Sequence, residues 1–338
     1  MKAVVLHRHG GIEELQYQDY PDPTPNDGAL IKVHACSLNH LDIWVREGVA
    51  NKRIKFPHIP GSDISGELMN DINGLKKGSR VLIYPGLSCR RCKYCLEGRE
   101  TLCKEFTIIG GLNDTQGGYA EYVKVPEDNI IPIPDWLSYE EAASINISYL
   151  TAWNMLEKVN AKDKTVLIYA AGSGVGSAAI QFAKALGCKI ITTVGDASKI
   201  EKAKALGADL IIDRSKEDIL TSIMKFTNYG VDAVIDHVGA KVWNINLQAL
   251  RIGGELANCG ATSGEDTNMN IRTFYNKQLT LYGIYLGTKK QLIDMLKFME
   301  DNKIKPVIDS IFPLDKVREA HKKMEESKHF GKIVLQIV

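Results

Sequence analysis

Apolar and polar positions follow two regimes along this chain, and each predicts a different architecture. In the first third the alternation has period two. Residues 29–36 place Ile31, Val33 and Ala35 on one face and Lys32 and His34 on the other, a half-buried strand. Residues 79–85 and 118–126 read as further strands, and Pro21, Pro23, Pro25, Pro57 and Pro60 punctuate the loops between them. From about residue 164 the strands become unbroken apolar runs, as expected where helices cover both faces of a sheet. The run 164–171 is followed by a glycine-rich turn and a helix with Val175, Ala179, Phe182, Ala183 and Leu186 on one side, ending at Gly187. Strand-like runs recur at 188–194, 209–213, 231–236, 254–259 and 278–286. Helical segments fall at about 216–227 and 241–250, and another helix is opened by Ser198 with Glu201 three residues later as a capping box. This alternation predicts an α/β fold with a doubly wound parallel sheet of six strands. Residues 288–301 form a helix with Leu292, Met295, Leu296 and Met299 on one face, and the tail from about Pro306 returns to mixed strand and helix.

A length of 338 residues exceeds one ordinary core, so two domains are expected: 1–140, completed by 288–338, and 141–287. Charge adds little to this picture, with 42 basic against 41 acidic residues and a net charge of +1. That balance argues against a nucleic acid or an anionic membrane as partner. No apolar run reaches the length of a membrane span, and the first residues do not resemble a signal segment. A cytoplasmic enzyme or binding protein acting on a small molecule is the expectation.

Cysteine usage changes the picture. Four of the seven cysteines fall in fifteen residues, Cys89-x-x-Cys92-x-x-Cys95-x₇-Cys103. Arg90, Arg91, Lys93, Glu97 and Arg99 between them are poor core formers, so this is a surface loop that needs a metal to give it shape. Four thiolates would close every position around one tetrahedral Zn²⁺, which makes the ion structural. Two disulfides or a cluster of free thiols are the alternatives, the former disfavoured in a reducing compartment.

The turn after the 164–171 run reads Ala171-Gly172-Ser173-Gly174-Val175-Gly176. Small residues there let backbone amides at a helix start approach a pyrophosphate, so Gly172, Ser173, Gly174, Val175 and Gly176 are candidate dinucleotide-binding residues. Ala171 and Ser173 depart from the strict glycine pattern; the strand-before, helix-after context carries the reading. At the end of the second strand Thr193-Val194-Gly195 offers no carboxylate for a ribose hydroxyl, and Asp196 lies just beyond. Lys199 and Arg214 supply cations nearby, which suits the 2′-phosphate of NADP(H) over NAD(H), although NAD stays possible. Gly239 and Gly260 follow later strands, at the C-terminal strand ends where ligands bind in open α/β folds.

Together these features resemble the medium-chain dehydrogenase/reductase superfamily. The resemblance runs through Met1-Lys2-Ala3-Val4, Pro60-Gly61-Ser62-Asp63, Gly78-Ser79-Arg80-Val81, Gly117-Gly118-Tyr119-Ala120-Glu121-Tyr122 and Ala205-Leu206-Gly207-Ala208-Asp209. It implies a GroES-like catalytic domain joined to a Rossmann domain, hydride transfer with a nicotinamide, and a homodimer or homotetramer. The alcohol dehydrogenases of that superfamily hold a second, catalytic zinc. At the matching positions this chain has Asn39 for the cysteine, Ser62 for the histidine and Ile147 for the third ligand. Without thiolate and imidazole donors a zinc loses its affinity. Cys36, His34, His40 and Asp63 are the residues from which an improvised site would have to come.

The Leu38-Asn39-x-x-Asp42 segment and the Ala171–Gly176 turn look more like the quinone reductase branch. The expectation is therefore an NADP(H)-dependent reductase of a quinone or an α,β-unsaturated carbonyl with no catalytic zinc, whose active-site candidates are Asn39, His40, Asp42, Ser62 and Asp63. Two alternatives remain: an alcohol dehydrogenase with a non-standard metal site, and a cofactor-binding protein without turnover. The apolar stretch Leu279–Tyr285 would leave a sheet edge exposed in a monomer, so edge-to-edge pairing of two subunits is expected.

Overall fold

A computed structural model describes residues 1–24, 28–49, 54–72, 74–111 and 113–337. Pro25, one of the prolines expected to punctuate the loops, lies outside the described residues. The chain divides into two units. One comprises 1–148, 288–300 and 305–338; the other comprises 149–287 and 301–304. The division falls eight residues beyond the expected 140/141 boundary. Helix Tyr139–Ala143, capped by the Ser138 hydroxyl accepting from Glu141 N, packs on strands Ala29–Ser37 and Asp63–Leu68 and so belongs with the first unit.

In the first unit a seven-stranded sheet runs in the order Ile308–Pro313, Lys332–Gln336, Ala29–Ser37, Asp63–Leu68, Arg80–Ile83, Ile130–Pro132, with Tyr122–Val125 also paired to Ala29–Ser37. The strand Ala29–Ser37 alternates buried and half-buried residues until Ala35, after which Cys36 and Ser37 are buried as well. Two registers place the site. Ser37 pairs with Asp63 on one side and with Val334 on the other, so the end of Ala29–Ser37 and the start of Asp63–Leu68 meet beside the strand Lys332–Gln336. The run expected at 118–126 is a strand only over Tyr122–Val125. Gly117 and Gly118 instead lie against the Pro60–Gly61 backbone, where a Cβ on Gly117 would come within 2.4 Å of both carbonyl oxygens.

The second unit is a six-stranded parallel sheet in the order Leu210–Asp213, Lys189–Val194, Thr165–Ile168, Val231–Asp236, Leu250–Asn258, Thr280–Gly283. Helices Gly174–Ala185, Ile200–Leu206, Ile219–Thr227 and Trp243–Ala249 connect the strands in alternation. This is the doubly wound arrangement, with the strand order reversing beside Thr165–Ile168. Its core gathers Leu167, Ile191, Ile212, Val234 and Leu256 from five of the strands.

Four local expectations are corrected. Ser198 forms no capping box with Glu201: the Asp196 side chain accepts from Ser198 N and caps a short 3₁₀ turn Ala197–Lys199 ahead of the helix. The strand expected at 278–286 is confined to Thr280–Gly283, and the one expected at 254–259 begins at Leu250. The helix expected at 216–227 starts at Ile219, because Asp218 caps it by accepting from Thr221 N. No helix among the described residues is long and apolar enough to cross a membrane.

Candidate functional site

Three groups of residues carry chemistry, and the first is local. Cys89, Cys92, Cys95 and Cys103 bring their sulfurs within 4.8 Å of one another. The Cys92–Cys95 and Cys89–Cys95 separations are 3.5 and 3.9 Å. A disulfide would hold its sulfurs at about 2 Å, whereas the edge of a tetrahedron of thiolates around zinc is about 3.8 Å. All four cysteines are free. The donor set and its spacing therefore fit one structural Zn²⁺. The loop is tied to its surroundings by the Arg90 guanidinium, which binds Asp128 and Asn129, and by Glu100, whose carboxylate accepts from Lys289 N at 2.7 Å.

The second group lies at the C-terminal strand ends of the second unit. Ser173 caps helix Gly174–Ala185, its hydroxyl accepting from Gly176 N at 2.8 Å. A Cβ on Gly176 would lie 2.2 Å from the Ala170 carbonyl, so only glycine lets the helix start this close to the strand. Ala170 adopts a left-handed φ of 48°, and its N–H donates to Thr193 Oγ1, which ties the turn to the neighbouring strand. Gly195 sits under the Arg214 guanidinium: a Cβ there would lie 3.0 Å from Nη2. Lys199 closes the 3₁₀ turn after Asp196. Gly239 and Gly260 also meet, for a Cβ on Gly239 would lie 3.0 Å from the Gly260 carbonyl. Gly172, Ser173, Gly174, Val175 and Gly176 thus make a close turn at the start of the helix, and Arg214 lies over Gly195 at the end of the neighbouring strand. The turn fits a dinucleotide. His237, which sequence reasoning missed, links the parts: its Nε2 is 2.9 Å from Ser173 Oγ. Its position directly after an apolar strand was the available signal.

The third group is buried in the first unit. Lys332, 2% exposed, donates from Nζ to Leu38 O at 2.7 Å, Asn39 Oδ1 at 2.7 Å, Asp63 Oδ2 at 3.0 Å and Ser148 Oγ at 3.2 Å. Asn39 Nδ2 donates to Asp63 Oδ2 at 2.9 Å, and Ser37 Oγ is also 2.9 Å from that oxygen. Taking two charges out of water is costly, and this density of hydrogen bonds is what compensates it. Asp63 Oδ1 and the hydroxyl of buried Ser62 have no hydrogen-bond partner among the described residues. Sequence reasoning missed Lys332 and Ser148, although a lysine heading the apolar run Ile333–Leu335 was legible as an anomaly.

Asp42 extends the network. Its Oδ2 accepts from Asn39 N at 2.7 Å and from Tyr119 Oη at 3.1 Å. Tyr119 Oη is 3.4 Å from His321 Nε2, and His321 Nδ1 is 3.4 Å from Arg46 Nη1. Arginine can only donate, so Nδ1 accepts, Nε2–H donates to Tyr119, and Tyr119 donates to Asp42. Burial lowers His321 to about 3, which keeps it neutral, and burial raises Asp42 from 3.8 to about 7. Asp42 therefore keeps its proton well above the usual carboxylate range, up to about pH 7.

Of the five active-site candidates, Asn39, Asp42 and Asp63 share this network, and Ser62 is buried beside Asp63 in the chain. His40 stands apart: it is exposed at the start of helix His40–Glu47 and packs edge-on to Trp44. The residues do not fit a catalytic zinc. Asn39, Ser62 and Ile147 supply no thiolate or imidazole, and an ammonium holds the Asn39 and Asp63 oxygens. Among the described residues the only group of three or more His, Cys, Asp or Glu side chains spaced to hold a metal is the four-cysteine loop. His34 is stacked on Tyr139 and Cys36 is buried in the core, so neither builds an improvised site.

Comparison with known proteins agrees with this layout. A family model described as alcohol dehydrogenase GroES-like domain matches residues 25–135, and one described as zinc-binding dehydrogenase matches residues 174–301. An alcohol dehydrogenase of Geobacillus stearothermophilus is 33% identical over the full length of both chains. A quinone oxidoreductase of Pongo abelii is 29% identical, over 99% of this chain and 97% of its own. A solved structure described as an NAD-dependent alcohol dehydrogenase superposes with a TM-score of 0.95 at 40% identity, covering all of both chains.

Proposed function

This chain belongs to the medium-chain dehydrogenase/reductase superfamily, a nicotinamide-dependent oxidoreductase of GroES-like and Rossmann domains, and we propose that within it the protein is an NADP(H)-dependent reductase of quinones or α,β-unsaturated carbonyls that works without a catalytic zinc. One observation carries this reading: where a dehydrogenase would assemble thiolate and imidazole around a metal, Asn39, Asp63 and Ser148 surround Lys332. Oxidising an alcohol requires stabilisation of an alkoxide, which a Lewis-acidic ion supplies in this fold. Reducing a carbon already made electron-poor by conjugation requires only hydrogen bonds to the oxygen that gains charge.

The Gly172–Gly176 turn and the first-turn amides of helix Gly174–Ala185 would hold the pyrophosphate, and Arg214 beside Gly195 a ribose 2′-phosphate. The bound nicotinamide supplies the hydride. Lys332 holds the Asn39 amide oxygen, which directs Nδ2 at Asp63. The buried Ser62 hydroxyl has no hydrogen-bond partner among the described residues and would be the donor to a substrate oxygen. Asp42 carries a proton near neutral pH and passes its hydrogen-bonded line through Tyr119 to His321.

A second reading, alcohol dehydrogenase, is favoured by the names of the relatives at 33% and 40% identity. One screen separates the two: NADPH and NADH against a quinone, an enone, an aldehyde and a primary alcohol, with zinc counted in the same preparation. The reductase reading expects quinone or enone turnover with NADPH at about one zinc per chain. Alcohol turnover at about two zinc ions per chain, abolished by chelation, refutes it.

A further inference from the structure

We infer that the ammonium of Lys332 is the resident cation of the first unit's buried site, occupying the place a catalytic metal ion would need, and that Lys332 is thereby the positioning residue for Asn39 and Asp63. The inference rests on the metal-free reading above and deepens it. Absence of ligands alone would leave a gap in the fold; here the place is filled. Four acceptors from three segments, 38–39, 63 and 148, converge on one Nζ atom, more than its three N–H groups can serve singly. Three of those acceptors belong to Asn39, Asp63 and Ser148. Asn39 stands at one of the positions where the dehydrogenase branch carries a metal ligand, and Asp63 and Ser148 are the chain neighbours of the other two, 62 and 147.

The strand register makes the arrangement obligatory. Ser37 pairs with both Asp63 and Val334, and Leu38 N donates to Ile333 O at 2.9 Å. Lys332 is therefore delivered to Leu38 and Asn39 whenever the sheet forms. Its side chain has no exit, being 2% exposed. A divalent ion bound to Asn39 Oδ1 and Asp63 Oδ2 would sit at contact distance from this ammonium, and two cations sharing those oxygens repel. The site accepts one or the other. Lys332 also orients the Asn39 amide: its oxygen accepts from Nζ and from Ser148 Oγ, which leaves Nδ2 to donate to Asp63. That is a role for a fixed positive charge, which a neutral side chain of equal length cannot perform.

The test restores the missing donors with and without the lysine. Asn39→Cys with Ser62→His returns a thiolate and an imidazole beside Asp63. In that double variant, with the four-cysteine loop already loaded with zinc, titrated Co²⁺ should give no thiolate-to-cobalt absorption band. Adding Lys332→Met should produce the band, with second-site affinity at least about a hundredfold higher. Equal cobalt affinity with and without Lys332 overturns the inference, and so does a triple variant that still binds no second ion. The native chain gives a measurement independent of how those variants fold. In crystals soaked with Zn²⁺, anomalous scattering should show one peak, at Cys89, Cys92, Cys95 and Cys103. A second peak at Asn39 and Asp63 with Lys332 displaced overturns the inference. A screen in which only alcohols turn over at one zinc per chain would sink the reductase reading and leave the role of Lys332 standing.

Discussion

Asp42 offers a quantitative test of the buried network. It is fully buried, its Oδ2 accepts from Asn39 N and Tyr119 Oη, and its Oδ1 has no partner. The charged groups that bear on it are Asp63, which disfavours its ionisation, and Lys332, which favours it; burial outweighs both. A displacement from 3.8 to about 7 corresponds to about 4 kcal/mol. The sign follows from proton counting. Between about pH 4 and pH 7 the folded chain keeps a proton that the unfolded chain has released, so this group removes stability as pH rises. Below pH 4 both states are protonated and the cost vanishes. Asp42→Asn keeps an acceptor for Asn39 N and Tyr119 while abolishing the titration. Urea unfolding of both proteins at intervals from pH 4 to pH 8.5 isolates the effect, because titrations common to the two cancel. The variant should gain on the parent by up to about 4 kcal/mol across that window and level off above it. A difference independent of pH, or one that shrinks as pH rises, would refute the assignment of a protonated Asp42.

The remaining predictions concern the other two groups and assembly. Arg214→Ala should weaken NADPH binding roughly tenfold or more while leaving NADH nearly unchanged, by loss of a charge-assisted contact to the 2′-phosphate; titration of cofactor fluorescence reads the ratio, and equal losses for both cofactors contradict it. Stripping zinc with a chelator should raise hydrogen exchange at 86–108 and, through the Glu100–Lys289 contact, at 288–292, with no change at 165–283. Unaltered exchange around the four cysteines would show that no ion shaped the loop. The parallel sheet ends at Thr280–Gly283, and pairing of two such edges should give a sedimentation mass about twice 37.4 kDa or a multiple of that; a monomer counts against it.

What the sequence revealed follows from how far apart the interacting residues are. The four cysteines lie within fifteen residues, so spacing alone announces a shared ion. The six parallel strands are buried on both faces, so each prints an unbroken apolar run, and the order in which they stack follows from the alternation with helices. Element ends were less legible where a side chain one or two positions away took over the cap. Asp196 displaced Ser198 as the cap before Ile200, and Asp218 set the start at Ile219. Lys332 stood out as a lysine heading an apolar run, but its role was not legible because its partners Leu38 and Asn39 are 294 and 293 positions away, joined to it by strand register alone. The line from Asp42 through Tyr119 to His321 has the same character, its last step spanning 202 positions.

On the proposed reading, the four-cysteine loop and the buried site around Lys332 differ for the same reason. The four-cysteine loop is self-contained: its ligands come from one segment, and nothing elsewhere in the chain must change for it to keep an ion. The buried site draws on the ends of several strands and on the segment before Tyr149, so exchanging a ligand there leaves charges that the rest of the fold must balance. Asp63 is 0% exposed, and an isolated carboxylate at that depth is among the costliest groups a fold can bury. Once no metal offsets it, a cation from within the chain is the available remedy. Residue 332 is well placed to supply one, because the strand Lys332–Gln336 pairs directly with Ala29–Ser37 and ends beside Asn39. On this argument the lysine and the altered ligands are one substitution in physical terms. Replacing Lys332 alone should be more disruptive than replacing it together with Asp63 by apolar residues of similar volume, since the first leaves a buried charge unpaired and the second leaves none.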